Sequence, residues 1–377
     1  MLLEGLYIPL TTPFHTDGRL NLPKLATNTA RYSKTPAAGL IVLGPSGEPT
    51  LLSDDETREA LRTAAQAAAP EKVVIAGIAR GSVRTTLALA EFAAEQRYDA
   101  VLVGVPSVLA GGEEQSTQGP RELLTFFQTI ADRSPLSVVL LNSHTRRIPT
   151  DAMVELAAHS NVVGLLDTAT HQVHPGEIEA VLQRTAAIKR DVTVTPIFTA
   201  VTARMTAAAA PAAAFAPATF ISADTLAGAL SGVLAAVDAG ASTMLLAEPP
   251  DPAPGVRPLR TRTKSVGFQI LTGATASMLD GLRSGASGIA PAFAACAPQA
   301  CYEVFAAWKD DDQPLAEEKQ LRLNAAAPLA EELLGPGGLK FGCDLNGYFG
   351  GWPRLPHLPP AGAQRAALEQ LMEGMRN

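Results

Sequence analysis

The stretch Lys72-Val-Val-Ile-Ala-Gly77, then Ser82 to Arg97, then Tyr98-Asp-Ala-Val-Leu-Val-Gly-Val-Pro106 decides the fold. Two near-continuous apolar runs, each closed by glycine or proline, flank a segment of helical period. Runs without polar alternation are strands buried on both faces, which is the situation of a parallel sheet covered by helices. The same unit recurs on either side. Gly39-Leu-Ile-Val-Leu-Gly44 is followed by Ser53-Asp-Asp-Glu56, a cap with first-turn acids. Ser137-Val-Val-Leu-Leu-Asn142 and Asn161-Val-Val-Gly-Leu-Leu-Asp167 continue the series, with a helix near Thr150–Ala158 between them and another near Pro120–Asp132 before them.

Gly5 to Phe14 supplies a first strand, and Phe268-Gln-Ile-Leu-Thr-Gly273 and Gly288-Ile-Ala-Pro-Ala292 supply two late ones. Eight strands alternating with helices predict an α/β (β/α)8 TIM barrel, with strand six near Val162–Leu166 and strand seven near Phe268–Leu271. No G-x-G-x-x-G follows an early strand, so a dinucleotide-binding sheet lacks its phosphate loop.

A barrel needs about 250 residues, and this chain has 377. The surplus is placed in two parts. Residues 1–297 form the barrel with an inserted segment between strands 6 and 7, at about 172–262, expected to be part loop and part helix (about Asp224 to Ala239). Residues 298–377 form a C-terminal helical extension, with helices expected at Pro298–Trp308, Pro314–Leu334 and Ala361–Met375. Leu226 to Ala247 is almost uncharged, but Asp238 and three glycines interrupt it and no basic flank frames it, so it reads as buried rather than membrane-spanning.

The formal charge of −7, with no Lys/Arg run, argues against nucleic acid as a partner. A hydrophobic content of 47% against 18% charged excludes a mainly disordered chain. Cys296, Cys301 and Cys343 make no disulfide framework, and Met1-Leu2-Leu3-Glu4 lacks the pattern of a signal peptide, so the expected location is cytoplasmic.

Ordered motifs along the chain carry a resemblance. They are Thr11-Thr12-Pro13-Phe14, Gly44-Pro-Ser-Gly-Glu48, Leu141-Asn142 with Arg146, Val163-Gly-Leu-Leu-Asp167, Leu271-Thr-Gly273, Gly285-Ala-Ser-Gly288-Ile289, and Lys340 with Trp352-Pro-Arg-Leu-Pro356. The chain resembles the dihydrodipicolinate synthase / N-acetylneuraminate lyase family of pyruvate-dependent class I aldolases. That resemblance implies a lysine at the end of strand six that condenses with the ketone of pyruvate, and a tyrosine after strand five that handles protons. It also implies a loop after strand two that holds the substrate carboxylate, no cofactor, and a homo-oligomer, either dimer or tetramer.

The chain departs from that pattern at the reacting groups. Leu166 occupies the lysine position, Leu141 the tyrosine position, and Pro45 the first hydroxyl position of the carboxylate loop. Ser46, Gly47, Asn142, Arg146 and Thr12 remain as candidate substrate-binding residues for a small carboxylate or 2-keto acid. Three readings stay open: a lyase-like protein without the usual Schiff base, a non-catalytic pseudoenzyme or partner-binding homologue, and a lyase using a displaced lysine or a metal. Lys189 and Lys264, flanking the insertion, are the candidate displaced amines. Asp167, His171, His174 and His144 are residue types that bind metals, but their spacing matches no metal fingerprint and they read as loop residues. Arg146-Arg147 offers a guanidinium clamp for an anion.

Overall fold

The structure is a computed structural model that describes residues 1–109, 119–143, 145–169, 176–209 and 259–375. Eight parallel strands close into a barrel: β1 (Gly5–Pro9), β2 (Gly39–Val42), β3 (Val73–Gly77), β4 (Ala100–Gly104), β5 (Ser137–Asn142), β6 (Val162–Asp167), β9 (Gln269–Thr272) and β10 (Gly288–Ile289). Two further strands, β7 (Arg190–Val194) and β8 (Arg262–Val266), lie outside it. The eight runs read from the sequence are the eight barrel strands, each within a few residues of its expected bounds.

β2, β3, β4, β6 and β9 are buried at every position, as a sheet covered on both faces requires. One set of side chains fills the barrel interior, among them Tyr7, Ile41, Ile75, Leu102, Val139, Leu166 and Leu271. The other packs outward on the helices, with Leu40, Val74, Val101, Leu140 and Ile270 among its members. Helix α2 (Asp54–Ala67) starts at the capping box foreseen at Ser53-Asp-Asp-Glu56: the Glu56 backbone N–H donates to Ser53 Oγ and the Ser53 backbone N–H donates to the Glu56 carboxylate.

Where it is described, the inserted segment contains helices Glu177–Arg184 and Ala203–Ala209 and, in addition, an unforeseen strand. That strand, β7, pairs with β8 at the far end of the segment as an antiparallel ribbon, Arg190 opposite Val266 through Val194 opposite Arg262. The ribbon lies at the N-terminal end of the barrel strands. Arg190 donates to the carbonyls of Ala157 and His159, at the C-terminal end of α5 (Thr150–Ala157). The Ala203 N–H donates to Asp99 Oδ1 at 2.7 Å, and Arg204 donates to the Lys72 and Arg97 carbonyls. The ribbon strands are about seventy residues apart in sequence, so no local pattern announced the pair. The helix expected near Asp224–Ala239 lies outside the described residues.

The C-terminal helices run Pro298–Lys309, Gln313–Ala327, Gly335–Leu345 and Gly362–Met372, with a π-helical turn at Pro328–Leu333. The third was not foreseen, because Gly335-Pro-Gly-Gly338 reads as a helix breaker. Packing supplies the reason for the glycines. A Cβ at Gly338 would stand 2.5 Å from the Ala330 carbonyl oxygen, and one at Gly342 would stand 2.7 Å from Cys296 Sγ. All three cysteines are free and buried. Among the described residues no helix is long and apolar enough to cross a membrane.

Candidate functional site

The C-terminal ends of β2 to β5 form the relevant part of the barrel mouth. After β2, Leu43 takes a left-handed backbone (φ 56), Pro45-Ser46-Gly47 make a single 3-10 turn, and Glu48 is left-handed again (φ 53). The tight path depends on Gly77 at the end of β3, where a Cβ would stand 2.0 Å from the Leu43 carbonyl oxygen. Thr12 Oγ1 donates to the Gly47 carbonyl at 2.7 Å, tying the loop after β1 to this turn.

Glu48 is buried and forms an ion pair with Lys340, itself 1% exposed, from the helix Gly335–Leu345. The Lys340 ammonium donates to the Trp352 carbonyl at 2.9 Å and sits 4.3 Å from the Phe14 ring centroid. Burial holds its pKa down at about 8, against the pull of Glu48 in the other direction. The second Glu48 oxygen accepts the Arg354 N–H at 3.1 Å. The Arg354 side chain donates to Glu56, Leu51 O and Gly18 O, so the C-terminal extension is anchored to the loops after β1 and β2.

At the end of β5, Asn142 is fully buried. Its Nδ2 donates to Asp167 Oδ1 at 3.1 Å and its Oδ1 accepts the Ile148 N–H at 2.9 Å. The amide therefore braces the loop Ser143–Arg147 against the end of β6. Burial pushes the Asp167 carboxyl up to about 6, offset in part by its hydrogen bonds from Ala169 and Asn142. Ser143 and Arg146 face each other across a tight turn. Arg147 is committed to Glu177. The Arg146 guanidinium has no ion-pair or hydrogen-bond partner among the described residues.

Arg146 instead lines a cavity of about 310 Å3 at the mouth. Leu43, Gly44 and Pro45 reach it from the β2 end, Gly77 and Ala79 from β3, Leu102, Gly104 and Val105 from β4, and Leu141, Ser143 and Thr145 from β5. Glu48, Pro49 and Thr50 complete the loop side, and Pro336 and His357 come from the C-terminal extension. Of the candidates read from the sequence, Arg146 and Leu141 line this cavity. Ser46, Gly47 and Thr12 stand in loops, and Asn142 at the end of β5, beside the cavity without lining it. Leu166 lies in the barrel interior, 1% exposed. The contributions of Pro336 and His357 were missed; the only signal was the Trp352-Pro-Arg-Leu-Pro356 motif, whose place in space no local pattern discloses.

The candidate displaced lysines stand elsewhere. Lys264, on β8, donates to Glu4 at 2.7 Å, at the N-terminal end of the barrel. Lys189 immediately precedes β7, at that same end. Both are on the wrong face for mouth chemistry, because β8 and β7 pair under the barrel rather than over it. Among the described residues no three His, Cys, Asp or Glu side chains cluster for a metal. His144, His171 and His174 lie outside the described residues.

Solved structures of matching fold include a dihydrodipicolinate synthase from Bacillus anthracis, at TM-score 0.71 and 17% identity, covering 100% of both chains. An E. coli K12 prophage protein of the dihydrodipicolinic acid synthase family, solved with pyruvate, matches at TM-score 0.68 and 20% identity over 100% of this chain and 99% of that one. The L-threo-3-deoxy-hexylosonate aldolase of Hypocrea jecorina is 32% identical over 172 residues, 42% of this chain and 52% of the aldolase. The chain thus spans about half the length of the curated relatives it matches. The family model described as the dihydrodipicolinate synthetase family matches residues 2–196, more than half of the chain. With a closed barrel of the same fold and that match, this chain belongs to the dihydrodipicolinate synthetase family.

Proposed function

We propose that this protein binds a small carboxylate or 2-keto acid at the barrel mouth through Arg146 and forms no Schiff base at strand six. The observation that carries the reading is the Arg146 guanidinium, which lines a mouth cavity without a partner among the described residues while neighbouring Arg147 is neutralised by Glu177. A guanidinium presents a planar fork of donors that matches a carboxylate. The family relationship and the pyruvate held by the E. coli relative support a keto acid as the ligand class. Leu166 has no nitrogen with which to form an imine, and its side chain is sealed among barrel leucines.

A second reading, a non-catalytic homologue, is favoured by the loss of amine and phenol together at Leu166 and Leu141. It predicts binding without turnover. Incubation with pyruvate and borohydride, followed by mass spectrometry, separates the possibilities. The expected result is pyruvate binding that depends on Arg146, with no lysine adduct; an adduct on any lysine, Lys340 included, restores an aldolase mechanism. The dimer or tetramer and the cytoplasmic location rest on the resemblance and the sequence pattern; sedimentation of the purified chain tests the first.

A further inference from the structure

The cavity that carries Arg146 has an aliphatic wall beside its polar members Thr50, Ser143, Thr145 and His357. Leu43 comes from the end of β2, Leu102 and Val105 from β4, and Leu141 from β5. Glu48 also lines it, but its carboxylate is engaged by Lys340 and by the Arg354 N–H. At the other wall, Gly104 carries no side chain; a Cβ there would stand 3.3 Å from Leu141 Cδ2, so the glycine preserves space beside that leucine. The result is a guanidinium without a partner among the described residues, lining a cavity of about 310 Å3 that has a branched aliphatic wall.

A three-carbon keto acid anchored on Arg146 fills little of that volume and leaves water against the leucines. A longer apolar chain displaces that water, and each methylene removed from water adds favourable free energy. A second carboxylate on the ligand would meet no second unpaired lysine or arginine among the described residues, only the His357 imidazole and the hydroxyls of Thr50, Ser143 and Thr145, so the aliphatic wall is the larger source of added affinity. We infer that the ligand is a monocarboxylate, a 2-keto acid with a branched aliphatic or aromatic tail, its carboxylate on Arg146 and its tail against Leu43, Leu102, Val105 and Leu141. This rests on the carboxylate reading of the site and specifies its substrate class.

Calorimetric titration of the intact chain at fixed pH and salt tests it, with pyruvate, 2-oxobutanoate, 4-methyl-2-oxopentanoate, phenylpyruvate and 2-oxoglutarate as probes. Affinity is expected to rise along the apolar series, by about tenfold or more from pyruvate to 4-methyl-2-oxopentanoate, and 2-oxoglutarate is expected to bind more weakly than the latter. Leu141→Tyr is expected to compress the ratio between those two monocarboxylates toward one, and Arg146→Ala to weaken the whole series. A flat or falling series that still depends on Arg146 overturns the apolar-tail assignment and leaves the carboxylate reading standing. Binding of none of the acids removes that reading, and this assignment with it. The wild-type series decides the matter even if Leu141→Tyr does not fold.

Discussion

Leu141 on β5 and Leu166 on β6 are register partners, and Leu166 is in turn opposite Leu271 on β9. Three leucines thus stand side by side across the barrel wall, at the level where β5 and β6 approach the mouth. In the resemblance that the sequence carries, the first two positions hold the phenol and the amine of an imine mechanism. Here they hold hydrocarbon, and Leu166 is 1% exposed.

Leu166→Lys places an ammonium among those leucines, so the variant is expected to lose stability, by about 3 kcal/mol or more in urea denaturation. Desolvation also lowers the pKa of such a lysine. Pyruvate with borohydride is expected to label the single variant weakly and Leu166→Lys/Leu141→Tyr more strongly, because the second change adds a proton-transfer group. Equal labelling of the two variants removes the role assigned to position 141.

The buried pair Glu48–Lys340 gives a test of how the mouth loop is held. Lys340→Met leaves the Glu48 carboxylate buried with one backbone donor, and breaking such a pair costs about 3–5 kcal/mol. Glu48→Gln/Lys340→Met removes both charges and is expected to recover most of that loss. A single variant as stable as the parent shows that the pair does not hold the loop.

Asn142 accepts the Ile148 N–H, two residues beyond Arg146. Asn142→Ala strands the Ile148 N–H and removes a donor from Asp167, at a cost of about 2–3 kcal/mol. Because the loop between them carries Arg146, pyruvate affinity is expected to fall together with the urea midpoint. Unchanged affinity with lowered stability separates the brace from the ligand site.

Glu331 sets a pH dependence. Burial pushes its carboxyl up to about 7 from an ordinary 4.5, although Thr275 and the Phe293 N–H donate to it. The folded state therefore holds the proton more tightly than the unfolded chain. Its contribution to stability is largest below about pH 4.5 and declines as pH rises to about 7. Glu331→Gln keeps an acceptor oxygen and removes the titration, so the difference in urea midpoint between variant and parent is expected to grow in the variant's favour from pH 5 to 8. A pH-independent difference excludes Glu331 as the titrating group.

The sequence alone determined the (β/α)8 barrel, the bounds of its strands to within a few residues, and the helix start at Ser53. These depend on short-range regularities, apolar runs for doubly covered strands and capping residues for helices, which a window of a dozen residues contains. From the resemblance it also yields the expectation that Leu166 and Leu141 occupy the positions of an amine and a phenol. Tertiary structure decided the rest. The β7–β8 ribbon joins segments about seventy residues apart, and the helix at Gly335–Leu345 forms against local propensity because Gly338 and Gly342 let backbone and sulfur approach. Asn142 became a brace rather than a cavity wall because Ile148 and Asp167 claim its amide, and the cavity borrows Pro336 and His357 from the C-terminal extension. Each of these depends on which distant atoms come within a few ångströms, and that is set by how the whole chain packs.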